Sequence, residues 1–235
     1  MEFYHFVVNF FQEGGFFLYP LLGIWLIGVA IGVERYIFLT AETMNNRRLW
    51  GQVVPLISNG NFRQVVAITA KSKAAIATAL NYGIARLASA RRRDDIEKAM
   101  DESLLEIIPR IEKRTHYLTP LANIGMLTGL LGTIIGLISA FAAIATANPA
   151  EKASLLAASI SVAMNNTASG LFVAITLLGS SMFLEAKTTK LIDSLEIASV
   201  KFLNSVVERR QDGEGGNDQI TPAARSRAAA AHGVG

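Results

Sequence analysis

The side chains of most chemical interest in this sequence are hydroxyls and amides set inside uncharged apolar runs. Thr128, Thr133 and Ser139 stand in residues 115–150, and Ser159, Ser161, Asn165, Asn166, Thr167 and Ser169 in residues 153–184. Neither run contains Asp, Glu, Lys or Arg, and only Glu151 and Lys152 separate them. Hydrocarbon offers a polar group no hydrogen-bond partner, so few such groups are tolerated on a helix that faces only lipid. Function is therefore expected in this pair of segments. With no ionisable residue deep in either run, the chain carries no proton relay of its own, and any carboxylate needed for one must come from a partner.

Other chemistries find little support. The absence of cysteine removes disulfides, thiolate nucleophiles and Cys-based metal sites. His5, His116 and His232 are scattered, without metal-ligand spacing or a nucleophile–base constellation. His5 reads as an interfacial side chain. The glycine-rich run near Gly132 lacks the Gly-Lys-Ser/Thr ending of a phosphate loop. Asn165-Asn166-Thr167 fits the glycosylation pattern, but its place inside an apolar run argues that it is unmodified. Asp94, Glu97 and Asp101 read with Lys98 as a solvated helix face. No enzyme activity and no cofactor are expected. The pI of about 9.3 and net charge of +3 fit basic segments on the cytoplasmic side of a membrane better than nucleic-acid binding, because the aromatic–basic interleaving of single-strand binders is missing.

The elements that must position these groups follow from composition. Residues 1–15, aromatic and without Lys or Arg, are expected to form an amphipathic interfacial helix rather than a cleaved leader. Residues 16–40 form a first membrane helix, with Pro20 near its start and Gly28-x-x-x-Gly32 as a packing signal. The pair Glu34-Arg35 is expected to close that helix as a membrane-boundary anchor. Residues 41–114 are a helical cytoplasmic region with thirteen Lys or Arg against eight Asp or Glu, which sets the orientation by the positive-inside rule. Helical spacing of Ile96, Met100, Leu104, Ile107 and Ile111 predicts a helix over 94–113, and residues 73–90 predict another.

Residues 115–150 and 151–184 are the second and third membrane helices, joined by a short turn at 147–150. Gly125-x-x-x-Gly129 and Gly132-x-x-x-Gly136 leave one side of the second almost without side chains, which predicts close helix packing. Residues 185–210 read as a cytoplasmic extension with Leu191, Leu195, Ala198, Phe202 and Val206 on one face, and 211–235 as a disordered tail. The fold class is thus an all-α membrane protein of three transmembrane helices with long cytoplasmic helical extensions.

These segments resemble the MotA/TolQ/ExbB proton-channel family. The first span reads Pro20-Leu21-Leu22, then small and apolar residues, then Glu34-Arg35. The second, from Leu121 through Gly129-Leu-Leu-Gly132-Thr133-Ile-Ile-Gly136-Leu137, is similar to that family's GLLGTxxGL signature. The third, Asn166-Thr167-Ala-Ser-Gly170-Leu-Phe-Val-Ala-Ile, is similar to its ATAxGLxxAI stretch. The resemblance covers residues 16 to about 205 and keeps the order of the spans.

The resemblance implies a pentameric bundle in the bacterial inner membrane, N-terminus periplasmic and C-terminus cytoplasmic. It would surround an ExbD/TolR/MotB-like dimer of single-span subunits bearing a membrane Asp. Flow of H⁺ or Na⁺ would then drive mechanical work. Thr133 and Thr167 match the family's two pore threonines, where hydroxyls replace part of an ion's hydration shell or hold a water chain. Asn165, Asn166 and Ser161 join them as expected pathway residues, and Gly125, Gly129, Gly132, Gly136 and Gly170 as packing residues.

The competing reading of each Thr is a back-bond to the carbonyl one turn earlier. Three positions depart from the pattern. Val162 stands where ExbB and TolQ carry a glutamate, Met126 replaces a usual proline, and Asn165-Asn166 occupy positions usually small or apolar. An amide can ligate Na⁺ in addition to bonding water; alternatively the pair glues neighbouring helices. An oligomeric scaffold that passes no ions is the rival to the motor reading.

Overall fold

The computed structural model describes residues 15–87 and 92–218, with side chains through Glu208. Every regular element among them is helical: α1 (Leu18–Ser58), α2 (Phe62–Thr69), α3 (Ala75–Leu87), α4 (Arg93–Glu112), a 3₁₀ turn (Thr115–Tyr117), α5 (Leu118–Thr146) and α6 (Lys152–Asp218). Three stretches, Leu18–Ser58, Thr115–Thr146 and Lys152–Glu208, are long and apolar enough to cross a membrane. The interfacial helix expected over residues 1–15 lies outside the described residues but for Gly15.

Two expected boundaries move. Glu34-Arg35 does not close the first helix, which continues for six further turns to Ser58. The charged pair ends the apolar run, not the helix, because Glu and Arg are both good helix formers. Likewise α6 runs to Asp218, through the first residues of the expected tail; residues 219–235 lie outside the described ones. The stop that α1 does use is Gly60, at φ +70°. There Asn61 N–H reaches Leu56 O (2.9 Å) and Gly60 N–H reaches Ile57 O (2.9 Å), a Schellman ending that a residue with a Cβ adopts only under strain.

The chain divides into two compact units: residues up to Thr40 with Ile111–Thr189, and Ala41–Arg110 with the residues from Lys190 on. In the second unit the apolar stripes predicted from spacing are buried: Ile96, Met100, Leu104 and Ile107 of α4, and Leu191, Leu195, Ala198, Phe202 and Val206 of α6. Phe202 is its largest fully buried side chain. It meets Phe62 edge-on at 6.5 Å, and a Cβ on Gly83 would come within 2.9 Å of its ring. The start of α3 is capped from a distance: Glu42 Oε1 accepts the Ala75 N–H (2.6 Å) and Asn46 Oδ1 the Ile76 N–H (3.2 Å). Both acceptors satisfy amide groups that have no partner within their own helix, and the carboxylate also suits the positive end of the helix dipole. Tyr82 donates to Glu106 (3.0 Å), and that bond to a carboxylate pushes the phenol above its ordinary range.

In the first unit α5 and α6 pack antiparallel, with Gly125 against Val173, Gly132 against Asn166 and Gly136 against Ala163. Helix α1 pairs parallel with α6: Trp25 Nε1 donates to Thr176 (3.2 Å), Gly28 abuts Leu177, and Tyr36 stacks on Phe183 at 6.1 Å. The Gly28-x-x-x-Gly32 signal therefore splits. Gly28 makes the close approach, whereas a Cβ on Gly32 would meet nothing within 4 Å.

Candidate ion pathway

The α5–α6 contact brings the candidate residues together because glycine removes what would hold the helices apart. A Cβ on Gly129 would lie 2.8 Å from both Gly170 Cα and Asn166 O, and one on Gly170 would lie 2.8 Å from Gly129 Cα. Real Cβ atoms do not come that close, so the backbones touch only while both positions are glycine. Gly125, Gly129, Gly132 and Gly170 are buried there, and Gly136 is half-buried.

One turn along the same seam, the Thr133 and Thr167 hydroxyls hydrogen-bond to each other. Thr133 Oγ1 also lies 3.2 Å from Gly129 O in its own helix and 3.1 Å from Ala163 O across the interface. Carbonyls only accept, and a hydroxyl has a single proton. The arrangement that uses both protons has Thr167 donating to Thr133, which donates on to one of the two carbonyls. It leaves the Thr167 oxygen free to accept from water or to ligate a cation.

Three other hydroxyls in these helices differ. Thr128 donates to Ile124 O (2.7 Å), Ser169 to Asn165 O (2.7 Å) and Ser180 to Thr176 O (2.8 Å). All are back-bonds within a single helix.

Asn166 is buried, with 3% of its surface exposed, and its Oδ1 has no hydrogen-bond partner among the described residues. Its amide lies against Gly132, where an added Cβ would come 3.1 Å from Nδ2. Asn165 is half-buried and Ser161 exposed. Val162 is half-buried.

Arg35 is buried against protein, whereas Glu34 is exposed. Glu34 pairs with Arg114 at 2.7 Å. Arg35, 3% exposed, donates to Ile111 O and to Thr115 Oγ1 (3.3 Å), and its guanidinium lies 4.6 Å from the Phe38 ring centre. The pair thus ties α1 to the chain entering α5, where Arg114 turns the backbone at φ +70°. Sequence reasoning missed three cross-helix polar contacts: Trp25 with Thr176, Thr119 with Ser181 (3.1 Å), and Lys187 with Thr40 (2.5 Å). Each joins residues more than sixty positions apart, and nothing local marks them.

Comparison with known proteins agrees with this architecture. The chain is 28% identical over 174 residues to the ExbB-like 3 biopolymer transport protein of Synechocystis sp., covering 73% of this chain and 82% of that one. It is 24% identical over 203 residues to the ExbB homologue, also named for biopolymer transport, of Methanothermobacter thermautotrophicus, covering 84% and 69%. Residues 71–197 match the MotA/TolQ/ExbB proton channel family across more than half of the chain. With its glycine-faced helix pair and two touching threonines, this membrane protein belongs to the MotA/TolQ/ExbB family.

Proposed function

We propose that this chain is the pore-forming subunit of an ion-driven motor in the bacterial inner membrane. It couples flow of H⁺ or Na⁺ to mechanical work through a single-span partner of ExbD/TolR/MotB type. The carrying observation is the Thr133–Thr167 pair, joined across two helices inside spans that carry no ionisable residue deep within them. Hydroxyls in that setting pass an ion along but do not hold a charge, so the partner's membrane Asp takes up the ion and the threonines exchange it. Relatives named for biopolymer transport support the same reading. The assembly is a pentamer around two partner spans, with the N-terminus periplasmic and the basic segments cytoplasmic. The chain itself performs no enzymatic reaction and holds no cofactor.

Thr167→Val tests this, because it keeps shape and removes the hydroxyl. Complexes co-purified with the single-span product of a neighbouring gene should keep their mass by native mass spectrometry, five copies with two partners. In proteoliposomes they should lose ion flux at least tenfold. Undiminished flux removes Thr167 from the pathway. The scaffold reading has one observation in its favour: Thr133 has a carbonyl of its own helix within reach. It predicts no flux in the parent complex either, and no dependence on the partner's acid.

A further inference from the structure

A groove of about 240 Å³ opens between α1 and α6, lined by Val29, Gly32, Val33, Tyr36, Phe183 and Leu184. Its lining is mostly apolar; apart from the Tyr36 phenol it holds only the Ser180 hydroxyl, which is spent on the Thr176 carbonyl (2.8 Å). Gly32 is part of its lining, and a Cβ there would meet nothing within 4 Å. At one end stands Lys187, whose ammonium donates to Thr40 Oγ1 (2.5 Å) and lies 4.0 Å from the centre of the Tyr36 ring. Lys187 forms no ion pair among the described residues. The acids nearest in sequence on these helices are engaged elsewhere, Glu34 by Arg114 (2.7 Å), Glu42 by the Ala75 N–H (2.6 Å) and Glu185 by the Ser181 hydroxyl (2.8 Å).

We infer that this groove binds an anionic phospholipid, one acyl chain lying along Gly32 and the phosphate meeting Lys187. An apolar cleft on a membrane-spanning pair excludes a soluble polar ligand. The unpaired cation where the apolar lining ends selects for negative charge at headgroup depth, a contact that favours an anionic over a neutral headgroup by about fivefold. Tyr36 and Thr40 hold the ammonium at that depth, so its long chain does not extend away from the cleft. The site is independent of whether the subunit passes ions.

The test is lipid retention by the full chain purified in detergent and offered equimolar phosphatidylglycerol and phosphatidylcholine, read by native mass spectrometry. Retention of phosphatidylglycerol about fivefold over phosphatidylcholine is expected. Lys187→Gln should abolish the preference while lipid is still retained. Gly32→Leu should reduce retention of both lipids, and its side chain enters open space, so the fold tolerates it. Equal retention of the two lipids by the parent chain overturns the inference, as does a preference that survives Lys187→Gln. If a second copy of the chain covers the groove, no lipid is retained there, and that result overturns it too.

Discussion

The α5–α6 seam and the surroundings of Phe202 are both buried helix contacts, built by opposite rules. In the unit that holds Phe202, large side chains fill the core: Leu191, Leu195, Ile96 and Met100 are all 2% exposed or less. That is how a core is made where the surroundings are water, since each large apolar residue removed from water contributes about 1.5–3 kcal/mol. Along the seam the contact is made by residues with almost no side chain, while Ile138, Phe141, Ile175 and Met182 point outward, each more than 60% exposed. Lipid is as apolar as leucine, so burying leucine there gains little. What remains is close backbone contact and interhelical hydrogen bonds. The difference explains why glycine marks the site in one region and phenylalanine the core in the other.

Breaking the seam should have the largest effect. Gly129→Leu drives a side chain into the Gly170 backbone, and neither helix can relax without separating. The expected result is loss of folded protein, scored as monodisperse yield after solubilisation; a normal yield would contradict the backbone contact. Phe202→Ala comes next, at about 3–5 kcal/mol through the cavity it leaves. Its thermal midpoint should fall while the seam variants Thr133→Val and Thr167→Val stay near the parent value.

Glu42→Ala should cost about 1 kcal/mol, the usual worth of a lost helix cap. Hydrogen exchange should rise first at Ala75 and Ile76, whose amides it uncovers directly or next door. The smallest effect sharpens the comparison most. A double-mutant cycle between Thr133→Val and Thr167→Val should return a coupling of about 0.6 kcal/mol and less than about 2 kcal/mol, as measured for interhelical bonds in lipid. A large loss of flux beside so small a coupling would assign the pair to ion passage rather than to stability.

Much of this was legible beforehand, for a physical reason. Crossing a membrane demands about 20 consecutive apolar residues, so the spans announce themselves by composition. Glycines recurring at helical spacing expose one bare face, and the pattern Ile96, Met100, Leu104, Ile107 follows the same geometry on a helix in water. These are local properties, complete within one segment. The family signature around Thr133 and Thr167 is local too, although the bond between the two hydroxyls is not.

What the sequence by itself determined, then, is which segments are helical and apolar, which faces are bare, and where polar groups sit within them. The tertiary structure alone decided who meets whom. Gly28 and Gly32 have the same motif, but only Gly28 finds a partner helix. Arg35 looks like a surface anchor until the Ile111 carbonyl and Thr115 enclose it. Glu42 caps a helix that begins 33 residues later, and Lys187 ends a groove whose other wall is more than a hundred residues away. Such pairings depend on the register in which helices dock. Register is a property of two surfaces at once, and no single segment contains it.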